Sequence, residues 1–600
     1  MFRNKRLKEP VDTATNDTRP HKIRKHRIFG KLITSVPIFL LLFIMLPATA
    51  FAASWWEVYF TAGDGTIGSA SALETYISDF MLKASSMCYV ANYSWSDTLN
   101  NKVVLNINSL DVSGVDVRVV GDDAQGSVTN EAIHPDITAT IPMNDRTTAG
   151  SANYMHDKII IRDPNDSVNA AVMMGSGNFN EGGWESQNNT FLFLYDQDLA
   201  LNYLAEFNEM FNGTFAGGTQ TTRIYSMPDG VEVRSFFGSE DQPWAAVATT
   251  SNGLISILDT AAESIFFEIT DLYGYSGIQN PLEASCINRA AAGAIVEGVY
   301  QSIDTASTYD LSDWNDAAIA NANGTGPFIR ESAVTAFSKH HHKYWVIDLD
   351  WAGVGSVNAS QSSSENNPGS DENFILIKDF RLAREFAKEF GRNYAVGTPV
   401  GSVDNTAVTE THDWQGPGPA TNLSVTAGAS SFDVSWTAST GTAVDVSRYY
   451  IFISTIYTST ATMTTAKEQT TDAQGGHLSS VLRPEMQNKG ISSTTLSVSS
   501  YKEGGALSTG INYYIGVVAV DKFCNESTLL FGGPYTLGAD TTPPADPTGL
   551  AVSDPATDGN LNISWTANVE SDLNKYWLYR SVTSGVLSSK VVIATVTAPT

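Results

Sequence analysis

The chain is 600 residues long and 42% hydrophobic, with 64 Asp and Glu against 36 Lys and Arg and a formal net charge of −28. Such a length gives a soft expectation of about four domains, and the acidity weighs against a broad basic surface for nucleic acid or anionic membranes. Three cysteines, Cys88, Cys286 and Cys524, exclude a disulfide framework. Cys88 lies in an apolar strand and reads as a small core residue, and a Cys88–Cys286 bridge has no support in the sequence.

Residues 1–52 stand apart. The basic stretch H-K-I-R-K-H-R-I-F-G-K leads into I-T-S-V-P-I-F-L-L-L-F-I-M-L and then P-A-T-A-F-A-A. This is the pattern of a secretory signal with a long basic region, cut after Ala52. Its apolar core, residues 33–46, falls short of the ~20 residues that span a bilayer. The mature chain is therefore expected to be exported and to have no transmembrane helix, with an uncleaved anchor as the alternative. The leader holds 10 Lys and Arg and 3 Asp and Glu, leaving 26 basic and 61 acidic side chains, a formal charge of −35. Zwitterionic lipid or a soluble phosphodiester suits that charge better than nucleic acid, although acidity also simply keeps an exported protein soluble.

Next comes a series of helical and apolar stretches that occurs twice. S-A-L-E-T-Y-I-S-D-F-M-L-K-A predicts a helix, M-C-Y-V-A-N-Y-S a strand, and G-V-D-V-R-V-V-G-D-D at 114–123 a further strand. Then H-D-K-I-I-I-R-D supplies His156, Lys158 and Asp163, and A-A-V-M-M-G-S-G-N supplies Gly175, Ser176 and Asn178. F-L-F-L-Y and L-N-Y-L-A-E-F-N-E-M-F, a strand and a helix, end this half. The second half repeats the order with S-N-G-L-I-S-I-L-D-T-A-A-E and I-F-F-E-I-T-D-L-Y-G. It continues with H-H-K-Y-W-V-I-D (His341, Lys343, Asp348) and W-A-G-V-G-S-V-N (Gly355, Ser356, Asn358). F-I-L-I and R-L-A-R-E-F-A-K-E-F close it. Strands alternating with helices predict α/β layers.

Each motif is expected on a buried strand, where residues two apart share a face. His156 and Lys158 then point into one site, as do His341 and Lys343, while His340 and His342 point the other way. That alternation is preferred over reading K-H-H-H-K at 339–343 as a metal site. The Gly-rich turns can bring Asn and backbone N–H groups to an anion. Two facing halves would surround one phosphate with two imidazoles, two ammonium groups and two amides. The lysines and Asn178 and Asn358, with Ser176 and Ser356 beside them, would bind its oxygens. One neutral imidazole can attack phosphorus. The other, protonated, can supply a proton to the leaving alkoxide and later take one from water. This scheme requires no metal and no cofactor.

Two copies of His-x-Lys-x-x-x-x-Asp, each followed by Gly-Ser-x-Asn, resemble the phospholipase D superfamily in its two-motif, single-chain form, over roughly residues 54 to 400. The resemblance implies a duplicated α/β/α sandwich, a monomer, and a ping-pong phospho-histidine mechanism. By position, His156 would be the nucleophile and His341 the acid and base, with Lys158, Asp163, Lys343 and Asp348 completing the catalytic set. The family also carries a carboxylate after Gly-Ser-x-Asn that orients an imidazole. The second half offers Glu372 or Asp371. In the first, Asn189 and Thr190 stand where the acid is expected, and Glu185 is a nearby candidate, matched in spacing by Glu365.

After residue 400 the texture changes. Residues 401–416 read as a turn-rich linker. From 417 to 540, F-D-V-S-W-T-A, R-Y-Y-I-F-I-S and I-N-Y-Y-I-G-V-V-A-V resemble strands of an all-β fibronectin type III sandwich, with Trp436 buried and Tyr513 or Tyr514 at the tyrosine corner. A second such start, with Trp565, begins near 541 and looks cut short. The expected organisation is thus a signal peptide at 1–52, halves at 53–222 and 223–400, the linker, and two modules. The modules are expected to act as spacers or to touch a cell surface, polysaccharide or protein. Three functions remain open: an exported enzyme cleaving a phospholipid headgroup ester, an exported nuclease or other phosphodiesterase, and a non-catalytic surface-binding protein. Trp55, Trp56 and Trp184 are candidates for lipid contact or for core packing.

Overall fold

The computed structural model describes residues 55–597 apart from 62–71, 96–100, 123–133, 135, 147–153, 181, 220–222, 228–229, 239–240, 242–252, 273–278, 304–313, 315–316, 318–325, 334–338, 361–368, 400–411, 440–445, 472–476, 480–484, 491–492, 502–504, 539–543, 555–560, 569–574 and 581–590. The expected leader, residues 1–52, lies outside them. Among the described residues no helix is long and apolar enough to cross a membrane.

The first half contains β1 (Trp56–Phe60), α1 (Ala72–Met81), β2 (Met87–Asn92), α2 (Lys102–Val112), β3 (Asp116–Asp122), β4 (Met143–Arg146), β5 (Lys158–Arg162), β6 (Ala171–Gly175), the short β7 (Gln187–Asn188), β8 (Thr190–Leu194) and α3 (Gln197–Phe211). The second contains β9 (Arg223–Ser226), β10 (Glu232–Phe237), α4 (Leu254–Leu258), β11 (Ser264–Leu272), α5 (Pro281–Ala291), β12 (Ile295–Ile303), β13 (Phe328–Glu331), the short β14 (Lys339–His340), β15 (Lys343–Ile347), β16 (Trp351–Gly355), β17 (Asn373–Lys378), α6 (Phe380–Val396) and β18 (Thr398–Pro399). Side-chain caps set four helix starts: Asn101, Asp196, Asn280 and Asp379 each accept a hydrogen bond from the first turn.

The two sheets share one strand order. The first runs β1-β8-β6-β5-β2-β3-β4 and the second β10-β17-β16-β15-β11-β12-β13. Strand alternation divides each sheet between two cores. Ile160 and Met173 pack against α1 and α2, whereas Ile159, Ile161, Val172 and Met174 share a core with Tyr203 and Phe207 of α3. In the second half Phe267, Trp345 and Leu376 pack with α4 and α5. Tyr344, Val346 and Ile375 pack with Phe386 and Phe390 of α6, in the same core as α3. The duplicated α/β/α sandwich is therefore present, with α3 and α6 in the shared middle. Cys88 and Cys286 are buried in different cores and all three cysteines are free, so no Cys88–Cys286 bridge forms. Trp55, Trp56 and Trp184 are also buried, which assigns them to packing.

The C-terminal region is rich in β-strands: β19 (Thr421–Ala427), β20 (Phe432–Thr437), β21 (Val446–Ser454), β22 (Thr470–Thr471), β23 (His477–Leu478), β24 (Glu485–Gly490), β25 (Thr495–Val498), a small hairpin of β26 (Ser500–Tyr501) and β27 (Gly505–Ala506), β28 (Tyr513–Asp521) and β29 (Leu530–Tyr535). A three-stranded sheet, β19-β20-β25, accompanies a four-stranded one, β24-β21-β28-β29. This region is no detached spacer. On one face of β21 and β28, Tyr449, Ile451 and Val517 pack with Phe432, Val434 and Trp436. On the other, Tyr450, Phe452, Val518 and Val520 join the core of α3 and α6. Each such side chain contributes about 1.5–3 kcal/mol by leaving water.

Further ties reach both halves. β23 pairs with β1, matching Phe60 to His477. Arg448 donates to Glu263, to Asp350 and to the carbonyls of Asp348 and Leu349. Of the expected linker, residues 401–411 lie outside the described residues. The remainder is packed down, His412 bonding Glu297 at 2.7 Å and stacking near Tyr394. Beyond it, β30 (Thr548–Ser553) pairs with β31 (Asn562–Thr566), and β32 (Lys575–Arg580) with β33 (Val591–Thr597), largely exposed.

Glu526 marks the junction. Its carboxylate accepts from Arg384 of α6 at 2.5 Å and from Lys467 at 2.5 Å. Burial would raise its pKa, but Arg384, Lys388 and Lys467 hold it well below the usual carboxylate range. Glu526→Ala leaves buried cations undercompensated and is expected to lower stability by about 3 kcal/mol. Urea unfolding of the whole chain checks this, and an unchanged midpoint would contradict a shared core.

Candidate active site

The two motifs meet through strands that cross between halves. Neither His156 nor His341 lies within a strand of its main sheet; β5 and β15 begin two residues later, at Lys158 and Lys343. Each histidine instead pairs with the other half. His156 N donates to Asp371 O at 2.8 Å, and His341 N to Asn188 O at 2.8 Å. β14 runs parallel to β7, matching His340 to Asn188, and Met155 bridges Asp371 in the same sense.

The orienting groups are therefore exchanged. Glu372 Oε2 lies 2.8 Å from Nδ1 of His156, a first-half residue. Asn189 Oδ1 lies 2.8 Å from Nδ1 of His341, a second-half residue. The carboxylate expected to be missing beside His156 arrives from the opposite half, and the departure to an amide falls on His341. Asp371, the alternative to Glu372, is engaged elsewhere, with Arg146 at 2.7 Å. Glu185 lies on the turn Gly182–Ser186, and its side chain is outside the described residues.

Glu372 and Asn189 occupy equivalent places. Ser176 N donates to Thr190 O at 3.0 Å and Ser356 N to Asn373 O at 2.9 Å, so the preceding residue in each half reaches across. The glycines before these serines permit the approach: a Cβ on Gly175 would lie 2.0 Å from Thr190 O, and one on Gly355 2.1 Å from Asn373 O. Asn189 is fixed on both sides. Its Nδ2 donates to Gly183 O at 2.8 Å, while its Oδ1 also accepts from Ser176 Oγ at 3.0 Å. Both Nδ1 atoms thus donate to an acceptor, leaving Nε2 of each ring for chemistry.

Burial and the ammonium groups of Lys158, Lys343 and Lys339 push His156 well below its ordinary pKa, against a backbone hydrogen bond with Ser356. Burial, Lys343, Lys339 and Lys158 also push His341 well down. Burial lowers Lys158 to about 7, against the pull of Glu372 and Asp157. Its ammonium sits 5.1 Å from the Tyr93 ring centroid. Lys343, lowered by burial and by Lys339, donates to Thr270 Oγ1 at 2.9 Å and His341 O at 3.1 Å. Asp157 is raised to about 7 by burial, despite Asn373 donating to it at 2.6 Å.

Asn178 and Asn358 each keep a buried amide oxygen with no hydrogen-bond partner among the described residues. Turning either amide over would place an N–H2 there, ready for a phosphoryl oxygen. Ser176 and Ser356 instead hold the crossing strands, accepting from Thr190 N and Asn373 N at 2.9 and 3.0 Å. His340 and His342 face away as alternation requires: His340 lies 3.0 Å from Glu268, and His342 Nδ1 2.8 Å from Thr190 Oγ1.

Asp163 and Asp348, grouped with the catalytic residues by sequence, sit at the far ends of β5 and β15. Asp163 accepts from the backbone N–H groups of Ser85, Ser86 and Met87 at 2.7–2.9 Å. Asp348 accepts from those of Ala262, Glu263 and Ser264 at 2.7–3.0 Å. Both have positive φ, 44° and 52°, which Asp tolerates better than most residues. Burial would raise Asp163, but the Ser86 hydroxyl and these N–H groups win and lower its pKa. These carboxylates latch loops. Asp163→Ala or Asp348→Ala is expected to cost about 2 kcal/mol of stability, read as a lower urea midpoint; an unchanged midpoint would contradict the latch.

Sequence reasoning passed over the exchange of orienting groups, Tyr93 and Lys339. For Lys339 a signal existed, because it lies two residues before His341 in the alternating K-H-H-H-K run.

A family model described as "Cardiolipin synthase, PLD-like domain" matches residues 77–211 and 291–394. No curated protein matches the chain. Among solved structures, the chain is similar to phosphatidylserine synthase of Haemophilus influenzae Rd KW20, at 13% identity and a TM-score of 0.42, over 57% of this chain and 87% of that one. Polyphosphate kinase from Porphyromonas gingivalis shows 12% identity and a TM-score of 0.36, over 54% and 48%. Nuc, a phospholipase D family member from Salmonella typhimurium, shows 16% and 0.22, over 28% and 97%. Through the paired motifs and the match to a PLD-like domain, the part of this chain within residues 77–394 is that of a phospholipase D superfamily member.

Proposed function

We propose that the chain is an exported phosphodiesterase that hydrolyses a phospholipid headgroup ester through a covalent phospho-histidine. The observation that carries this reading is the exchanged pair of hydrogen bonds, Glu372 to His156 and Asn189 to His341. Each fixes a tautomer with Nε2 available. His156, neutral because it is buried among lysines, is the nucleophile. Its Nε2 attacks phosphorus while the bond to the leaving oxygen breaks. His341, held low by the same lysines in the free site, would be protonated once the bound phosphodiester's charge offsets them, and then delivers a proton to that oxygen. Neutral His341 then takes a proton from water, whose oxygen attacks phosphorus and releases His156.

Glu372 and Asn189 suit these roles differently. A carboxylate stabilises the positive charge that His156 gains on forming the phosphoramidate. A neutral amide gives His341 no such help, making it a stronger acid and a weaker base. Lys158 and Lys343, with Asn178 and Asn358, hold the non-bridging oxygens. This division of labour calls for no metal.

The region 417–540 is read as a fibronectin type III-like module. Trp436 is buried beside Tyr449, and Ser508 N donates to Tyr513 OH at 2.9 Å, favouring Tyr513 over Tyr514 at the corner. Its docking supports a role in bracing the enzyme more than in spacing it, and contact with a cell surface or polysaccharide remains a proposal for its outer face.

Choline release from phosphatidylcholine vesicles in EDTA, with His156→Ala as control, tests the reading. Release that the variant abolishes is expected; no release by the parent chain would overturn choline as the headgroup. The pH dependence follows from Lys158. Held near 7, it is charged below that pH and loses its proton above it. kcat/KM is expected to fall as pH rises through about 7; a profile flat to about pH 9 would contradict it.

A further inference from the structure

A third lysine faces the site from outside both motifs. Lys339 lies on β14, two residues before His341 and four before Lys343. His340 and His342 point away, towards Glu268 and Thr190. Alternation therefore puts Lys339, His341 and Lys343 on the common face. Its charge is felt at His156, Lys158, His341 and Lys343. Lys339 is half-buried and makes no ion pair among the described residues.

A single phosphodiester carries one negative charge, already served by Lys158, Lys343 and two amides. Glu372, Asp157 and Asp271 offset part of the charge on Lys158 and Lys343, and a further half-buried ammonium beside these two is favoured when more negative charge arrives. The pseudo-symmetric place in the first half is taken by Tyr154, two residues before His156. There the wall is aromatic: Tyr93 lies 5.4 Å from Tyr154 and 4.8 Å from His156, centroid to centroid. At these two equivalent positions, the cation belongs to the His341 side. Displacement by His156 in line puts the departing oxygen opposite the attacking nitrogen, beside the proton donor His341.

We propose that Lys339 selects phosphodiesters whose leaving group itself carries an anionic substituent, a carboxylate or a phosphate, within a few atoms of the scissile bond. The proposal rests on the phosphodiesterase reading above and adds the substrate class. Lys339 is a specificity residue; the displacement itself does not require it.

The test measures kcat/KM in neutral detergent micelles for three lipids with a common diacylglycerol part. Phosphatidylglycerol releases uncharged glycerol, phosphatidylglycerol phosphate releases an anionic glycerol phosphate, and phosphatidylserine releases a carboxylate-bearing serine. The parent chain is expected to prefer one or both anionic leaving groups by about tenfold. Lys339→Met should remove that preference, lowering kcat/KM on the anionic-leaving lipids about tenfold more than on phosphatidylglycerol whatever its effect on the common rate, and Lys339→Arg should restore it. The phosphate and carboxylate arms show which anion is read. Equal loss on all three lipids, or no loss on any, would overturn the selectivity claim. Turnover of none by the parent chain would overturn the phosphodiesterase reading, and this inference with it.

Discussion

Each imidazole of the site takes its orientation from the opposite half of the molecule. Glu372 holds His156 and Asn189 holds His341, each at 2.8 Å, and the backbones beside them are stitched by His156 N to Asp371 O and His341 N to Asn188 O. Neither half supplies the hydrogen bond to Nδ1 of its own motif histidine. The shared core of α3 and α6, the short β7–β14 pairing and the latches at Asp163 and Asp348 all hold these few atoms in register. The need for two halves is thus a matter of hydrogen-bond supply as well as of charge.

The duplication is close in backbone and divergent in chemistry. Equivalent positions carry Glu372 and Asn189, Asp157 and His342, Tyr154 and Lys339. Asn189 is locked by Gly183 O, so an aspartate there would set a negative oxygen against a carbonyl. The amide is therefore the residue that this backbone accepts. The result is one histidine next to a carboxylate and an aromatic wall, and another next to an amide and an extra ammonium. A two-step displacement uses such inequality, since the nucleophile must bear positive charge and the proton donor must give its charge up.

Much of the frame was legible in the residues. The paired motifs, their alternation and the repeated order of strands and helices all depend on local period, which sequence carries directly. His340 and His342 face away from the site for that reason. The exchange of Glu372 and Asn189 depends on how the halves face one another, and no local pattern encodes that. Asp163 and Asp348 were grouped with the catalytic set by motif membership, whereas their partners, the N–H groups at 85–87 and 262–264, come from distant loops. The docking of residues 417–540 had a signal that went unused. R-Y-Y-I-F-I and Y-Y-I-G-V-V-A-V are continuous apolar runs, the mark of strands buried on both faces.

The central claim is that crossing hydrogen bonds make His156 the nucleophile and His341 its partner. Rapid mixing with excess phosphodiester, quenching into alkaline denaturant and locating the phosphoryl adduct by peptide mass spectrometry test this most directly. The account predicts an adduct on the peptide containing His156 and none on that containing His341. An adduct on His341, or steady turnover with no histidine adduct at all, would contradict it.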